Sequence, residues 1–225
     1  MLGTVLAMSA IDVRAADAIP DTIAQRMLAC TPCHGQDGRA TNAGYFPRIA
    51  GKPAGYLYNQ LVNFREGRRS YAPMADLIEH LSDPYLREIA SHFASLDLPY
   101  PPPTPSRVSA QVLQRGERLV LRGDAENDIP ACAHCHGRAL TGVEPAIPGL
   151  VGLPRDYLTG QLGAWKAGQR HAAAPDCMAQ IAARLTSDDI AAAAAWLSSR
   201  PVPDRGKPAS TAERPMPMSC GGVQP

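Results

Sequence analysis

The chain of 225 residues has room for two small domains or one of medium size. Its 22 basic and 21 acidic residues nearly cancel, which argues against a nucleic-acid binder and leaves partner choice to local patches. Three Phe and two Trp would fill only a meagre core, and six Cys are too few for a disulfide-built miniature.

In chain order, the apolar run Met1 to Met8 fades into Val13-Arg14-Ala15-Ala16. Val13 and Ala15 sit at the small-residue positions before a signal-peptidase cut. Residues 1–15 are therefore expected to be a signal peptide, with a mobile N-terminal extension as the plainer alternative. No later stretch approaches the roughly 18–20 apolar residues that span a bilayer, so no transmembrane segment is expected in the mature chain.

Asp21 is placed to cap a short helix that carries Ile23, Met27 and Leu28 into Cys30-Thr31-Pro32-Cys33-His34. C-x-x-C-H is the attachment signature of c-type haem. The two thiols add across the haem vinyl groups, and the imidazole that follows binds the iron from one side. One copy is compatible with chance or with half of a zinc site. A second copy, Cys132-Ala133-His134-Cys135-His136, makes two haems the better reading. The expected cofactors are two haem c groups held covalently by Cys30, Cys33, Cys132 and Cys135, with His34 and His136 on the irons. Two buried porphyrins would also supply the missing apolar bulk, and attachment of such haem outside the bacterial cytoplasm agrees with export to the periplasm.

The two halves repeat each other. Phe46-Pro47-Arg48-Ile49-Ala50-Gly51 matches Ile147-Pro148-Gly149-Leu150-Val151-Gly152, and Tyr56, Gln60, Phe64 and Arg69 match Tyr157, Gln161, Trp165 and Arg170. Three extra residues then enter the second copy before Met178, the counterpart of Met74. Leu57, Leu61 and Phe64 recur at helical spacing, as do Leu158, Leu162 and Trp165. Ser82 opens a helix with Leu86, Ile89, Ala90, Phe93 and Leu96 on its apolar side; Thr186 opens its counterpart through Ile190, Ala194 and Leu197. With no alternating strand and no hairpin signal, the expected class is all-α. The expected units are 16–97 and 108–200, joined by the Pro-rich linker 98–107, which is either a semi-rigid hinge or a strap packed along the interface. Residues 201–225, rich in Pro and Gly, read as a disordered tail.

Each iron needs a second ligand. Met74 and Met178 hold matched positions, each on an expected loop before the last helix of its half. A thioether favours ferrous iron and raises the reduction potential, which suits an electron carrier and leaves no open position for substrate. The alternative for any single Met is core filler. Met216 and Met218 have no counterpart in the repeat and are not expected to be ligands. His134 lies between tethered cysteines, His80 and His92 read as helix-surface residues, and His171 is the one rival for the second iron. Cys177 and Cys220 remain. They either pair, folding the tail over the second methionine loop, or stay unpaired; a Cys177 thiolate on the iron is a third reading. Arg65, Arg68 and Arg69 form a basic cluster read as a solvated helix end.

Taken with Tyr56-Leu57, Gln60-Leu61 and Ile129-Pro130-Ala131-Cys132, these motifs resemble the dihaem cytochromes c4 over roughly residues 20–200. The resemblance implies two tandem class I cytochrome c domains about a pseudo-twofold axis, with His34/Met74 and His136/Met178 as axial pairs. It also implies that the carbonyls of Pro47 and Pro148 receive the histidine ring N–H, a contact that fixes ring orientation. The expected function is electron transfer between redox proteins, without catalysis, with a membrane oxidase or a flavoprotein subunit among the expected partners. The alternatives are the dihaem subunit of a complex such as flavocytochrome c sulfide dehydrogenase, or a catalytic dihaem enzyme with one iron not bound by Met.

Overall fold

The computed structural model describes residues 19–41, 44–103, 105–203 and 206–223; the expected signal segment, 1–15, lies outside them. The first half contains α1 (Ile23–Arg26), α2 (Thr31–His34), α3 (Ala54–Arg65), α4 (Ala72–Ile78) and α5 (Asp83–Ser95). Thr22, not Asp21, caps α1 by accepting from the Gln25 N–H at 3.2 Å, while Asp21 pairs with Arg26. The expected apolar faces of α3 and α5 pack against each other. Leu57 and Phe64 bury against Leu86, Ile89, Ala90 and Phe93, with Met27 and Ile78 closing the cluster.

The second half contains α6 (Ala110–Arg122), α7 (Cys132–His136), α8 (Arg155–Lys166), α9 (Cys177–Arg184) and α10 (Ser187–Ser198). Helix α6 corresponds to no element expected above, yet its packing on α10 anchors this half. Gly116 makes the crossing close: a Cβ there would stand 2.2 Å from the Ala192 carbonyl oxygen. Around the crossing, Val120, Trp196 and Leu197 join Leu153, Tyr157 and Leu158 in one core. A capping box between Thr186 and Asp189 starts α10.

A two-residue hairpin departs from the all-α expectation. β1 (Gly142–Val143) pairs antiparallel with β2 (Ile147–Pro148). Two residues are too few to show alternation in a sequence, so the helical class stands with this small addition. No described helix is long and apolar enough to cross a membrane.

The halves are joined by a reciprocal polar network. Arg69 donates to Gln60 of its own half and to Gln161 of the other; Arg170 donates to Gln161 and across to Gln60. Arg69 and Arg170 also face each other as an antiparallel bridge. Arg69 thus belongs to the interface rather than to a solvated cluster, while Arg65 pairs with Asp83 and Arg68 with Glu66. Matched residues contacting across the halves are what a twofold arrangement of a duplicated unit requires.

Of the two readings of the linker, the packed strap is observed. Arg48 donates to the carbonyls of Leu98 and Pro99 and stacks over the Tyr100 ring, 3.9 Å from its centroid. The same ring closes on Gly152 of the second half, where a Cβ would lie 2.4 Å from it. The tail also differs from expectation, for residues 206–223 are tied to the body at several points though 209–215 stay exposed. Ala209 exchanges hydrogen bonds with Gly142 and Glu144 at 2.9 and 2.8 Å, Cys220 is bridged to Cys177, and Asn59 of α3 donates to the Gly222 carbonyl at 2.9 Å. Backbone hydrogen bonds and a covalent link replace the apolar face that the tail lacks.

Candidate haem-binding site

Both C-x-x-C-H motifs form single helical turns that end on a glycine with positive φ, Gly35 at 74° and Gly137 at 82°. Each turn buries its last residue: His34 is 9 % exposed and His136 is 8 %. The ring orientation is set from behind. The Nδ1–H of His34 donates to the Pro47 carbonyl at 2.9 Å, and that of His136 to the Pro148 carbonyl at 2.7 Å. Each Nε2 is left with its lone pair free for a metal. Burial disfavours protonation of both rings and pushes both pKa values down. Burial likewise raises the thiols of Cys30 and Cys135, and that of Cys132 to about 11.

The four motif cysteines, both histidines, Met74 and Met178 all line one cavity of about 1060 Å³ that runs through both halves. The methionines are not on loops as expected. Met74 lies in α4, and Met178 is the second residue of α9. Both helices begin just upstream, so the thioethers sit in first turns. His134 donates to the Pro215 carbonyl at 3.1 Å, and His171 is exposed, with its ring donating to the Gly168 carbonyl. Cys177 is committed to its disulfide, so neither it nor His171 is placed as a rival to Met178.

Among the described residues, six cations line the same cavity; Arg26 and Arg68 are paired with Asp21 and Glu66, which leaves Arg48, Lys52, Arg69 and Arg170. Their polar partners are carbonyls, amides and the Tyr157 hydroxyl, not carboxylates. Burial lowers Lys52 to about 8, with Arg48 adding repulsion, and burial also lowers Arg170. The Trp165 Nε1–H, under the Arg170 guanidinium, is buried without an acceptor. A buried cation or donor without a counter-group is costly. Haem carries two carboxylates, which would answer such donors, while its apolar ring suits the rest of the lining. The residues present fit two covalent haems. Sequence reasoning singled out the cysteines, histidines and methionines that line this cavity, but not these cations. The matched pair Arg69 and Arg170 was their one visible signal.

Such a site, duplicated on a helical scaffold, defines a dihaem c-type cytochrome. No family model matches the chain. The chain is 38 % identical over 174 residues to the thiosulfate dehydrogenase electron acceptor of Thiomonas intermedia, covering 77 % of this chain and 79 % of that one. It is 33 % identical over 174 residues to cytochrome c4 of Pseudomonas aeruginosa, covering 76 % and 84 %. The solved structure of reduced recombinant cytochrome c4 from Pseudomonas stutzeri superposes with a TM-score of 0.68 at 28 % identity, over 78 % of this chain and 95 % of that one. The chain belongs to the cytochrome c4 family. It is an electron-transfer protein that carries two covalent haem c groups.

Proposed function

We propose that this chain is an exported periplasmic carrier in which His34 and Met74 hold one iron and His136 and Met178 hold the other. Its two electron-carrying units are 16–97 and 108–200, bridged by the strap 98–107. One observation carries the ligand assignment: the matched imidazoles and thioethers of both halves line a single cavity together with the four attachment cysteines. When bound, each haem passes one electron at a time between ferric and ferrous iron. The cysteines tether, and the Pro47 and Pro148 carbonyls hold the imidazole planes. Met74 and Met178 would supply each iron's second ligand, which would keep substrate off the metal and favour the reduced state. Arg48, Lys52, Arg69 and Arg170 balance negative charge inside the cavity.

The donor we assign is a thiosulfate-oxidising enzyme, and the acceptor is a further redox protein such as a membrane oxidase. Support comes from relatives described as thiosulfate dehydrogenase electron acceptors, from Thiomonas intermedia and, at 37 % identity, Stutzerimonas stutzeri.

A pyridine haemochrome assay should give two haems per chain. The weak far-red ferric band of thioether ligation should fall by half in Met74→Ala, by half in Met178→Ala, and vanish in the double variant. A single variant that keeps the full band would overturn that ligand. Purified thiosulfate dehydrogenase with thiosulfate should reduce the ferric protein rapidly; no reduction would overturn the donor while leaving the carrier intact.

A further inference from the structure

The two haem walls are built from different materials. Beside Met74, Tyr45, Phe46 and Tyr71 pack as a ring cluster with centroids 5.3, 5.8 and 6.3 Å apart, and all three line the cavity. Aligning the halves on their prolines and methionines puts Ala146, Ile147 and Pro175 in those places. Three aromatic side chains are therefore absent from the second wall.

The C-terminal segment occupies that side. From Pro215 to Cys220 alternate residues turn inward: Met216 and Met218 are half-buried and Cys220 is 7 % exposed, while Pro215, Pro217 and Ser219 face solvent. Met216, Met218 and Cys220 line the same cavity as His136 and Met178. Unbranched, polarisable methionine fills irregular apolar gaps well. The segment is pinned at three points. His134 of the haem motif holds the Pro215 carbonyl, Cys220 is bonded to Cys177, and the Gly221 N–H donates to the Pro175 carbonyl at 2.9 Å. Cys177 immediately precedes Met178, so the covalent latch grips the turn that presents the thioether.

We propose that residues 215–220 are the missing wall of the second haem site, and that the Cys177–Cys220 latch makes them positioning residues for Met178. The proposal rests on Met178 being the second iron's ligand. It concerns the second site alone, since the first has its own aromatic wall.

The test is an imidazole titration of the ferric, haem-loaded protein, read at the far-red thioether band. In Cys177→Ala/Cys220→Ala, half of the band should disappear at about 10–100-fold less imidazole than in wild type, the range typical when groups supporting a metal ligand are removed. The other half should titrate as before. Met216→Ser/Met218→Ser, with the disulfide kept, should shift the same half in the same direction by less. Wild-type curves from the cysteine variant would overturn the latch. If that variant fails to fold or load haem, the methionine variant decides, and its unchanged curve would overturn the wall. Met178→Ala separates the two readings. If it leaves the full band, the ligand assignment fails and takes the positioning role with it. If it removes half and the cysteine variant still titrates normally, the latch's role alone fails.

Discussion

Asp189 shows how much one carboxylate does at the residue scale. It is 4 % exposed, accepts from the Thr186 N–H at 3.0 Å and its hydroxyl at 2.6 Å, and takes Arg115 Nε at 2.7 Å. Burial alone would raise its pKa, but the Thr186 and Arg115 contacts outweigh burial and leave it lowered. A carboxylate with a lowered folded pKa adds stability that is present above its unfolded value and lost as pH falls through the folded one. Asp189→Asn should therefore cost about 0.5–2 kcal/mol near neutral pH, the range of a lost helix cap. The difference should shrink once pH drops below about 4. Denaturant unfolding of both proteins across pH checks this. At this scale the sequence was most readable where covalent chemistry fixes spacing, as in Cys30, Cys33 and His34. It was least readable at Lys52 and Arg170, whose hydrogen-bond partners are a carbonyl and two amides and which meet no carboxylate among the described residues.

Helix α6 carries the lesson at the scale of elements. Val112, Leu113, Leu119 and Val120 recur at helical spacing on one side, so the signal was present and went unread; Gly116, a poor helix former, sits in the middle of that side. The structure gives the glycine its reason, since the carbonyl of Ala192 occupies the space a side chain would need. Gly116→Ala should force α6 and α10 apart and cost about 1–3 kcal/mol, as overpacked cores do. The melting temperature should fall by several degrees, with the visible haem bands largely kept. A neutral or stabilising effect would mean that the crossing relaxes freely. Similar reasoning explains the methionine segments, read as loops and found as helices. Pro73 resembles a breaker, yet it sits in the first turn of α4, where proline costs no hydrogen bond. The repeat located α3, α5, α8 and α10 correctly because their packing faces are continuous.

For the whole molecule, duplication was legible from matched residues, and so was the presence of two similar halves. Of what joins them, the packed linker stood as one of two readings and the rest was not legible. The Arg69 and Arg170 network, the Tyr100 strap and the tail reaching Asn59 are contacts between distant segments with no local periodicity. A tail of proline, glycine and methionine has a disordered composition, and its order comes from three anchoring points far apart in sequence.

Those ties carry a kinetic meaning. Because polar pairs, a strap and the tail each hold one half to the other, the spacing between the two redox centres is a constant of the molecule rather than a fluctuating distance. Exchange of an electron between the halves should then be insensitive to solvent viscosity, while exchange with a partner slows as glycerol or sucrose is added, because partners must diffuse. Flash photolysis with an external photoreductant separates the two phases. In Arg69→Ala/Arg170→Ala the internal phase should acquire a viscosity dependence, the mark of a wire turned into a hinge.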